Sequence, residues 1–388
     1  MRTENPHPRA TRQGNGAFYS MKKLISLLLL LATLFTFASC GDDDEDQKYA
    51  PVESTAEEAE TVYTLTYGEK TYSVPYELYR AFFLNHKATV DKGDHTVWSG
   101  ADKQKYISEI DALVLNDITD IYSVFALCES VGIDIYSETV EGSIEQYIIA
   151  SVEGGTVGGM VFQGYGGDYN AYLASLRALN MNYSVQALLF RYAICSEMLD
   201  EYFASTSNGG TLAVTKADVK SFYYNECVRV IKPFFPTVTD LDKEINSAKR
   251  MNTIKEGIAA RAGDENAVCT YIITMSTEGE NIRNGYFIGR YSLDQSYYGE
   301  LTSVAFSLGM HEVSEPIQIF SGGNSGYHIL YRAEQSDANF EACYSSIEKA
   351  YVDNYIGKLL YNAKYTLTAS ASATSSLINR DRASISMG

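Results

Sequence analysis

Residues 297–334 read YYGELTSVAFSLGMHEVSEPIQIFSGGNSGYHILYRAE, a helix pattern followed by two strand patterns. The apolar residues at 301, 304, 305 and 308 have the spacing of one buried helix face, and Gly309 stands where a helix end often takes positive φ. Residues 313–320 are rich in β-branched and apolar side chains, and residues 326–332 return after a Gly-rich turn. The stretch therefore predicts a short helix followed by a hairpin of two strands.

The same stretch resembles the last third of a parvulin-type peptidyl-prolyl isomerase domain. In that family a phrase of the form A-F-x-L-x-x-G-E-V-S-x-P precedes G-Y-H-I-I. The matching residues here are Ala305, Phe306, Leu308, Glu312, Val313, Ser314, Pro316, Gly326, Tyr327, His328 and Ile329. So many agreements at fixed spacing exceed what chance gives, and the resemblance implies a parvulin-like α+β domain over residues 227–334.

The resemblance also implies a site. Parvulins catalyse rotation about the bond before proline with a pair of buried histidines; the second is here as His328, whereas the first falls on Lys232. A Lys has no acceptor and cannot share a proton with His328 as a neutral imidazole does. We therefore expect weak or absent isomerase activity. Two alternatives stay open: an active isomerase that uses His328 with Lys232 or a neighbouring acid, and a purely structural His328 in the core.

The family's proline pocket maps less closely onto this chain. Its Met position falls on Tyr297, its pocket Phe falls on Leu301, and Phe306 matches a packing residue. The family's Cys or Asp position falls near Thr277 or Glu278. The resemblance thus predicts a reshaped substrate-binding slot lined by Tyr297, Leu301 and Phe306.

Earlier parts of this domain are also recognisable. Residues 237–262 predict its first helix, and residues 284–289 resemble the family's Gly-rich turn. Residues 268–275 have strand propensity where the family has a short helix, and periodicity cannot decide so short a run. Pro233 interrupts the predicted first strand.

The region before it, residues 62–226, is mostly helical after a small hairpin near its start. A capping pattern at Thr215 opens a helix that leads into the first parvulin strand. This arrangement resembles SurA-type chaperones, whose helical domain precedes a parvulin domain and whose chain ends in a returning helix. Residues 335–363 match that last helix. The whole chain is therefore predicted to be α+β, with a low-complexity tail at 364–388 that is disordered.

The first 39 residues contain a secretory signal pattern: Met21-Lys-Lys, then an apolar run too short to span a bilayer. Translation could start at Met1 or at Met21. The signal ends at Cys40 in a sequence that resembles a bacterial lipobox, and an acidic tether follows at residues 40–61. The alternative is a cleavage site beside an incidental Cys. We expect a lipid on Cys40 to attach the protein to the outer membrane of a Gram-negative bacterium, on its periplasmic or its exposed face.

Composition and motifs exclude several classes of function. The formal net charge of the 388-residue chain is -18, which disfavours nucleic-acid binding. The cysteines and histidines have no metal-ligand spacing, so we expect no metal and no cofactor. The Gly-rich segment 154–167 lacks phosphate-loop residues and predicts a flexible loop. We interpret the remaining cysteines as buried hydrophobic residues, and His86, His95 and His311 as surface residues.

The sequence thus predicts an envelope lipoprotein chaperone that binds unfolded or extended polypeptide clients. Its many Tyr side chains suit that role, because Tyr offers large apolar area with a polar end. A nutrient- or glycan-binding lipoprotein on a parvulin scaffold is the other alternative. It ranks last, because glycan platforms favour exposed Trp and the chain has only Trp98.

Overall fold

The computed structural model describes residues 49–91, 95–206, 209–236, 241–276, 279–291, 299–321, 324–372 and 376–385. The predicted signal peptide, Cys40, Tyr297 and the pair Thr277 and Glu278 lie outside these residues. Helices and small antiparallel sheets alternate in the described chain, which confirms the predicted α+β class. No helix in the described ranges is long and apolar enough to cross a membrane.

The N-terminal part begins with the predicted hairpin, β1 (Thr61–Tyr67) and β2 (Lys70–Pro75). Five helices follow: α1 (Tyr76–Asp91), α2 (Lys103–Ser130), α3 (Glu138–Glu153), α4 (Tyr169–Ala178) and α5 (Tyr183–Tyr202). Their apolar faces meet in one large core that also includes Trp98. We call this region, together with the C-terminal elements that join its core, the helical unit.

The Gly-rich segment between α3 and α4 is more regular than predicted. It forms a two-stranded hairpin of β3 (Gly155–Val157) and β4 (Met160–Phe162). Gly154 has φ 90°, and a Cβ there would lie 2.9 Å from the carbonyl oxygen of Gln163. The glycines therefore permit a close backbone approach that stabilises a hairpin, and the prediction of a flexible loop is wrong.

The end of the chain is also more ordered than predicted. After α10 (Asp337–Ala342) and the long α11 (Tyr344–Thr366), residues Thr368–Ala371 form β11, which pairs antiparallel with β1. Residues Ser376–Ser384 form α12, which packs on α1 and adds Leu377 and Ile378 to the helical core. For the described residues of the tail, the prediction of disorder is therefore wrong. Pairing with β1 orders β11, and burial of Leu377, Ile378 and Ile385 together with the ion pair between Arg382 and Asp111 orders the segment after it.

Between these parts lies the sheet unit, residues 227–332. It is entered from α6 (Lys216–Asn225), whose predicted capping box is present at Thr215. Its strands are β5 (Cys227–Ile231), β6 (Phe234–Pro236), β7 (Tyr286–Gly289), β8 (Ile317–Ser321), β9 (Asn324–His328) and β10 (Tyr331–Arg332). Its helices are α7 (Leu241–Ala259), α8 (Glu265–Met275) and α9 (Gly299–Ser307).

The strands form two antiparallel ladders that continue into each other. One has the order β10-β5-β7, and the other has the order β6-β9-β8. The break lies at Lys232 and Pro233, between β5 and β6, where sequence analysis predicted an interruption. Because proline has no backbone N–H, the ladder cannot run through this position.

The two faces of this sheet are covered differently. Ile231 and Phe235 belong to a core with α7 and α8, whereas Val228 and Val230 belong to a core with Leu301 and Ala305 of α9. Successive strand residues point to opposite faces, so this division follows from alternation along the strand. We call the second side the α9 face.

Residues 265–275 settle the question that propensity left open, because they form helix α8. Asp264 caps its start by accepting a hydrogen bond from the Ala267 backbone at 3.1 Å. Val268, Cys269 and Ile272 are buried on one side of it. Burial of one helical face outweighs the strand preference of β-branched residues here.

The end of α9 differs from the expected glycine stop. Gly309 does not take positive φ; His311 does, at 62°. The Gly309 amide donates to the Glu312 carboxylate at 2.7 Å, and the His311 amide donates to the Arg332 carbonyl at 2.9 Å. The backbone N–H groups of this turn are therefore hydrogen-bonded by the Glu312 side chain and by the neighbouring strand. A left-handed conformation at Gly309 is not needed.

Helix α11 connects the two units. It packs on α2 and α6 and also contacts β7 of the sheet unit. Asn354 of α11 accepts a hydrogen bond from the Tyr291 backbone at 2.8 Å. A Cβ on Gly357 would lie 1.5 Å from the Tyr291 carbonyl oxygen, so only glycine allows this approach.

Candidate functional site

The residue that both the resemblance and the structure single out is His328, at the end of β9. Phe234 of β6 lies opposite it on one side and Ile317 of β8 on the other. Ile317 belongs to the core of the α9 face, and residues directly opposite each other share a face of the sheet. His328 therefore projects from the α9 face, where only 4% of it is exposed.

Burial and one hydrogen bond fix the state of this imidazole. Burial, together with the positive charge of Lys232, lowers the pKa of His328 from 6.5 to about 4, and the hydrogen bond to Pro233 opposes part of this decrease. His328 Nδ1 lies 2.8 Å from the Pro233 carbonyl oxygen. A carbonyl can only accept, so Nδ1 carries the proton and, in the neutral ring, the lone pair is on Nε2. At neutral pH the site thus holds an uncharged imidazole of one tautomer.

Lys232 occupies the break between β5 and β6. It is half-buried, and its ammonium lies 4.7 Å from the centre of the Tyr286 ring. Tyr286 lies opposite Val230, so it also stands on the α9 face, and 40% of it is exposed. Lys232 also lies close enough to His328 for its charge to lower the pKa of the imidazole. Its cation–π contact with Tyr286 was not predicted from the sequence.

Phe234 completes the arrangement. Its ring centre lies 5.2 Å from that of His328, with a 53° angle between the planes, and it is partly exposed. We call Lys232, Phe234, Tyr286 and His328 the site face. It combines a neutral buried imidazole, two aromatic rings and one cation.

The other residues predicted for the substrate slot occupy different positions. Leu301 is only 1% exposed and packs in the core between α9 and the sheet, so a ligand reaches it only if α9 moves. Phe306 is half-buried, with the Arg290 guanidinium 4.6 Å from its ring centre. Tyr297 is outside the described residues. Roles of these three residues in substrate binding remain predictions.

Two residues of the site face were missed as site residues by the sequence reasoning. Phe234 is two positions after Lys232, and the period of a strand could have placed both on one face. Tyr286 lies in a segment interpreted as a turn that is strand β7 in the structure. Its approach to Lys232 depends on the register between β5 and β7, for which the sequence contains no signal.

The remaining histidines are less uniform than predicted. His95 is exposed, but His86 is 4% exposed, and its Nε2 lies 2.7 Å from Asp117 Oδ2. His311 is half-buried beside the Tyr331 hydroxyl, 2.8 Å away. The prediction of three surface histidines is thus wrong for His86, because a buried carboxylate provides its partner. Within the described residues, no group of three or more His, Cys, Asp or Glu could hold a metal ion.

Comparison with known proteins adds little to this description. No family model matches the chain, and no curated protein matches it. Among solved structures, a similar chain is the foldase protein PrsA from Streptococcus pneumoniae strain Canada MDR_19A, with 14% identity over 76% of this chain and 91% of that chain, and a TM-score of 0.21. A TM-score this low does not establish a shared fold, so function must be argued from the residues.

Proposed function

We propose that this protein is a chaperone of the SurA and parvulin type that binds unfolded or extended polypeptides and has weak or absent prolyl isomerase activity. The observation that carries the proposal is the site face: a neutral imidazole and two partly exposed aromatic rings on a sheet interrupted at Pro233. Such a surface offers binding area for proline and other apolar side chains.

The aromatic rings favour binding. Tyr286 and Phe234 present rigid apolar area, which loses little conformational entropy when a client docks. The Tyr286 hydroxyl adds a polar end that can hydrogen-bond a client backbone. Extended segments with proline or aromatic residues fit this surface best, because their flat side chains can stack on the rings.

The chemistry around His328 argues against efficient catalysis. A prolyl isomerase lowers a barrier of about 18–20 kcal/mol by stabilising the twisted amide. Here the Nδ1 proton of His328 is donated to the Pro233 carbonyl. By the resemblance, Lys232 falls where parvulins have their other histidine. Lysine has donors only, so the two side chains cannot exchange a proton as a histidine pair can.

One observation favours the alternative of an active isomerase. The Lys232 ammonium is close enough to His328 to lower its pKa, so it could also stabilise negative charge on the oxygen of a twisted amide. The glycan-binding alternative gains no such support. Trp98 is 1% exposed, and its indole donates to Asp91 at 3.0 Å, so it is not a sugar platform.

Attachment to the envelope is part of the same proposal. It is supported by the signal pattern and by the lipobox-like sequence that ends at Cys40. Metabolic labelling with an alkyne fatty acid should mark the full-length chain and not Cys40→Ser. Equal labelling of both, or of neither, would contradict a lipid on Cys40.

The direct test of client binding compares two tyrosines in the same setting. Tyr286 lies under the Lys232 ammonium at 4.7 Å, and Tyr136 of the helical unit lies under the Arg191 guanidinium at 4.7 Å. We expect Tyr286→Ala to weaken binding of an unfolded outer-membrane polypeptide by roughly tenfold, the effect of losing one aromatic anchor. Tyr136→Ala is the control and should bind as the wild type does. Equal binding by all three proteins would overturn the assignment of the site face.

A further inference from the structure

Two buried cysteines of the helical unit lie against each other. Cys128 is on α2 and Cys195 is on α5, two helices that pack together. Neither residue is exposed to solvent. The Cys128 thiol donates to the Cys195 carbonyl oxygen across 3.4 Å.

The two thiols are also unequal. The interaction between the two groups lowers the pKa of Cys195 and raises the pKa of Cys128, and burial adds to the increase at Cys128. The Arg191 guanidinium, one turn earlier on α5, lowers the pKa of Cys195 as well. Because the thiolate is the reactive form, Cys195 is the better nucleophile of the pair.

We propose that Cys128 and Cys195 form a redox-active thiol pair that closes to a disulfide joining α2 to α5. Both are free thiols in the structure. Disulfide closure brings Cβ atoms to about 3.8 Å. The Cys128 sulfur already lies 3.4 Å from the backbone of Cys195, so closure requires the two side chains to turn toward each other.

The oxidant is a small disulfide such as oxidised glutathione. The Cys195 thiolate attacks one sulfur of that disulfide, forms a mixed disulfide and releases one glutathione thiolate. Cys128 then loses its proton and attacks the Cys195 sulfur, which releases the second glutathione. The protein loses two electrons and two protons, and the oxidant becomes two glutathione thiols. Both protein thiols are buried, so the reaction requires local opening between α2 and α5.

Closure would constrain a large part of the helical unit. The two cysteines are 67 residues apart, and the loop between them contains α3, the β3–β4 hairpin and α4. Cross-linking a long loop restricts the unfolded chain and stabilises the fold, more for longer loops. The oxidised protein should therefore unfold at a temperature several degrees above that of the reduced protein.

The experiment uses the full-length chain with Cys40→Ser and Cys343→Ser, which leaves Cys128, Cys195, Cys227 and Cys269 as its thiols. The folded protein is equilibrated with oxidised glutathione, quenched in acid, alkylated after unfolding and digested. We expect mass spectrometry to find the Cys128 peptide linked to the Cys195 peptide, with two hydrogens lost and the link reversible by dithiothreitol. Cys195→Ser should abolish the link and the rise in melting temperature.

Cys269→Ser is the matched control, because Cys269 is also a fully buried helical thiol, in the core of the sheet unit. It should leave the Cys128–Cys195 link intact. If Cys195→Ser does not fold, the peptide map of the protein that retains both Cys128 and Cys195 is enough to show whether the disulfide forms. The proposal is overturned if Cys128 and Cys195 stay alkylatable after oxidation of the folded protein, or if the link that forms involves Cys227 or Cys269.

Discussion

The helical unit and the sheet unit both bury ionisable side chains, but they surround them differently. In the helical unit, buried ionisable side chains lie against partners of the opposite type: Lys364 pairs with Asp120 at 2.5 Å, and the His86 imidazole lies 2.7 Å from the Asp117 carboxylate. In the sheet unit, the buried imidazole of His328 lies near a cation, Lys232. The helical unit follows the usual rule that a buried charge has an oppositely charged partner, and the sheet unit departs from this rule at the site face.

The difference is the reason for proposing a functional role at His328 and a structural role for the paired groups. Paired charges in the helical unit hold elements together; the Lys364 pair, for example, attaches α11 to α2. A His kept neutral beside a positive charge contributes nothing comparable to stability, and such perturbed groups concentrate at functional sites. The sheet unit also contains a paired charge that is buried, Arg229 with Glu265, so paired and unpaired burial can be compared within one region.

The largest expected effect is at Arg229, which is 1% exposed. Its guanidinium donates to both Glu265 oxygens, at 2.7 and 2.9 Å, and to the carbonyls of Asn284, Arg283 and Glu334. Arg229→Met should destabilise the sheet unit by about 3–5 kcal/mol, since it leaves these acceptors without their donor. Hydrogen exchange of β5 amides measures this. Arg261→Met, at an exposed arginine over the Tyr271 ring, should cost less than about 1 kcal/mol; equal costs would contradict the pairing argument.

The corresponding test in the helical unit is Lys364→Met. It leaves the buried Asp120 carboxylate without its cation, so we expect a loss of about 3 kcal/mol in the free energy of unfolding. The control is Lys349→Met, which removes an exposed pair with Asp353 and should cost roughly 0–1 kcal/mol. Chemical denaturation followed by circular dichroism measures both. If Lys364→Met is as mild as the control, this pair does not hold α11 on α2.

The third test sharpens the contrast through pH. The folded state holds the pKa of His328 near 4, below its ordinary 6.5, so between these values the unfolded chain binds more protons. Stability is therefore retained above pH 6.5 and lost as the pH falls toward 4, by at most about 3 kcal/mol. His328→Phe should lack this component. A wild type and a variant with the same pH dependence between 6.5 and 4 would show that His328 is not held neutral.

The smallest expected effect concerns the contact between the units. Gly357→Ala places a Cβ against the Tyr291 carbonyl, and we expect a cost of about 1–3 kcal/mol with faster hydrogen exchange in β7. Gly142→Ala is the matched control, because this glycine of α3 has open space around it. Its replacement should stabilise the helix by roughly 0.5–1 kcal/mol. A neutral Gly357→Ala would mean that α11 does not constrain the sheet unit.

Local sequence signals predicted much of the fold. The capping box at Thr215, the apolar faces of α3 and α5, and the helix–hairpin order of residues 297–334 all follow from short-range physical rules. What they missed depends on contacts distant in sequence. The strand β11 is exposed at every position, so no alternation marks it, and only its pairing with β1 makes it a strand.

The candidate site was also only partly predictable, because part of it depends on contacts between residues that are distant in sequence. His328 and Lys232 were found because a resemblance fixes their positions in the motif. Phe234 was within reach of strand alternation, whereas Tyr286 required the register between two strands. Leu301, chosen by alignment to a pocket residue, is fully buried under α9. Spacing along the chain could not show that burial.

We propose that the site face binds proline-containing segments without catalysing their isomerisation. Exchange NMR on an isotope-labelled, proline-containing peptide measures both properties in one sample, with the full-length chain added. We predict shifted and broadened peptide signals that weaken with Tyr286→Ala, and no cis–trans exchange peaks above those of the free peptide. Exchange peaks that vanish with His328→Ala would establish an active isomerase and contradict this account. Unchanged peptide signals would contradict client binding itself.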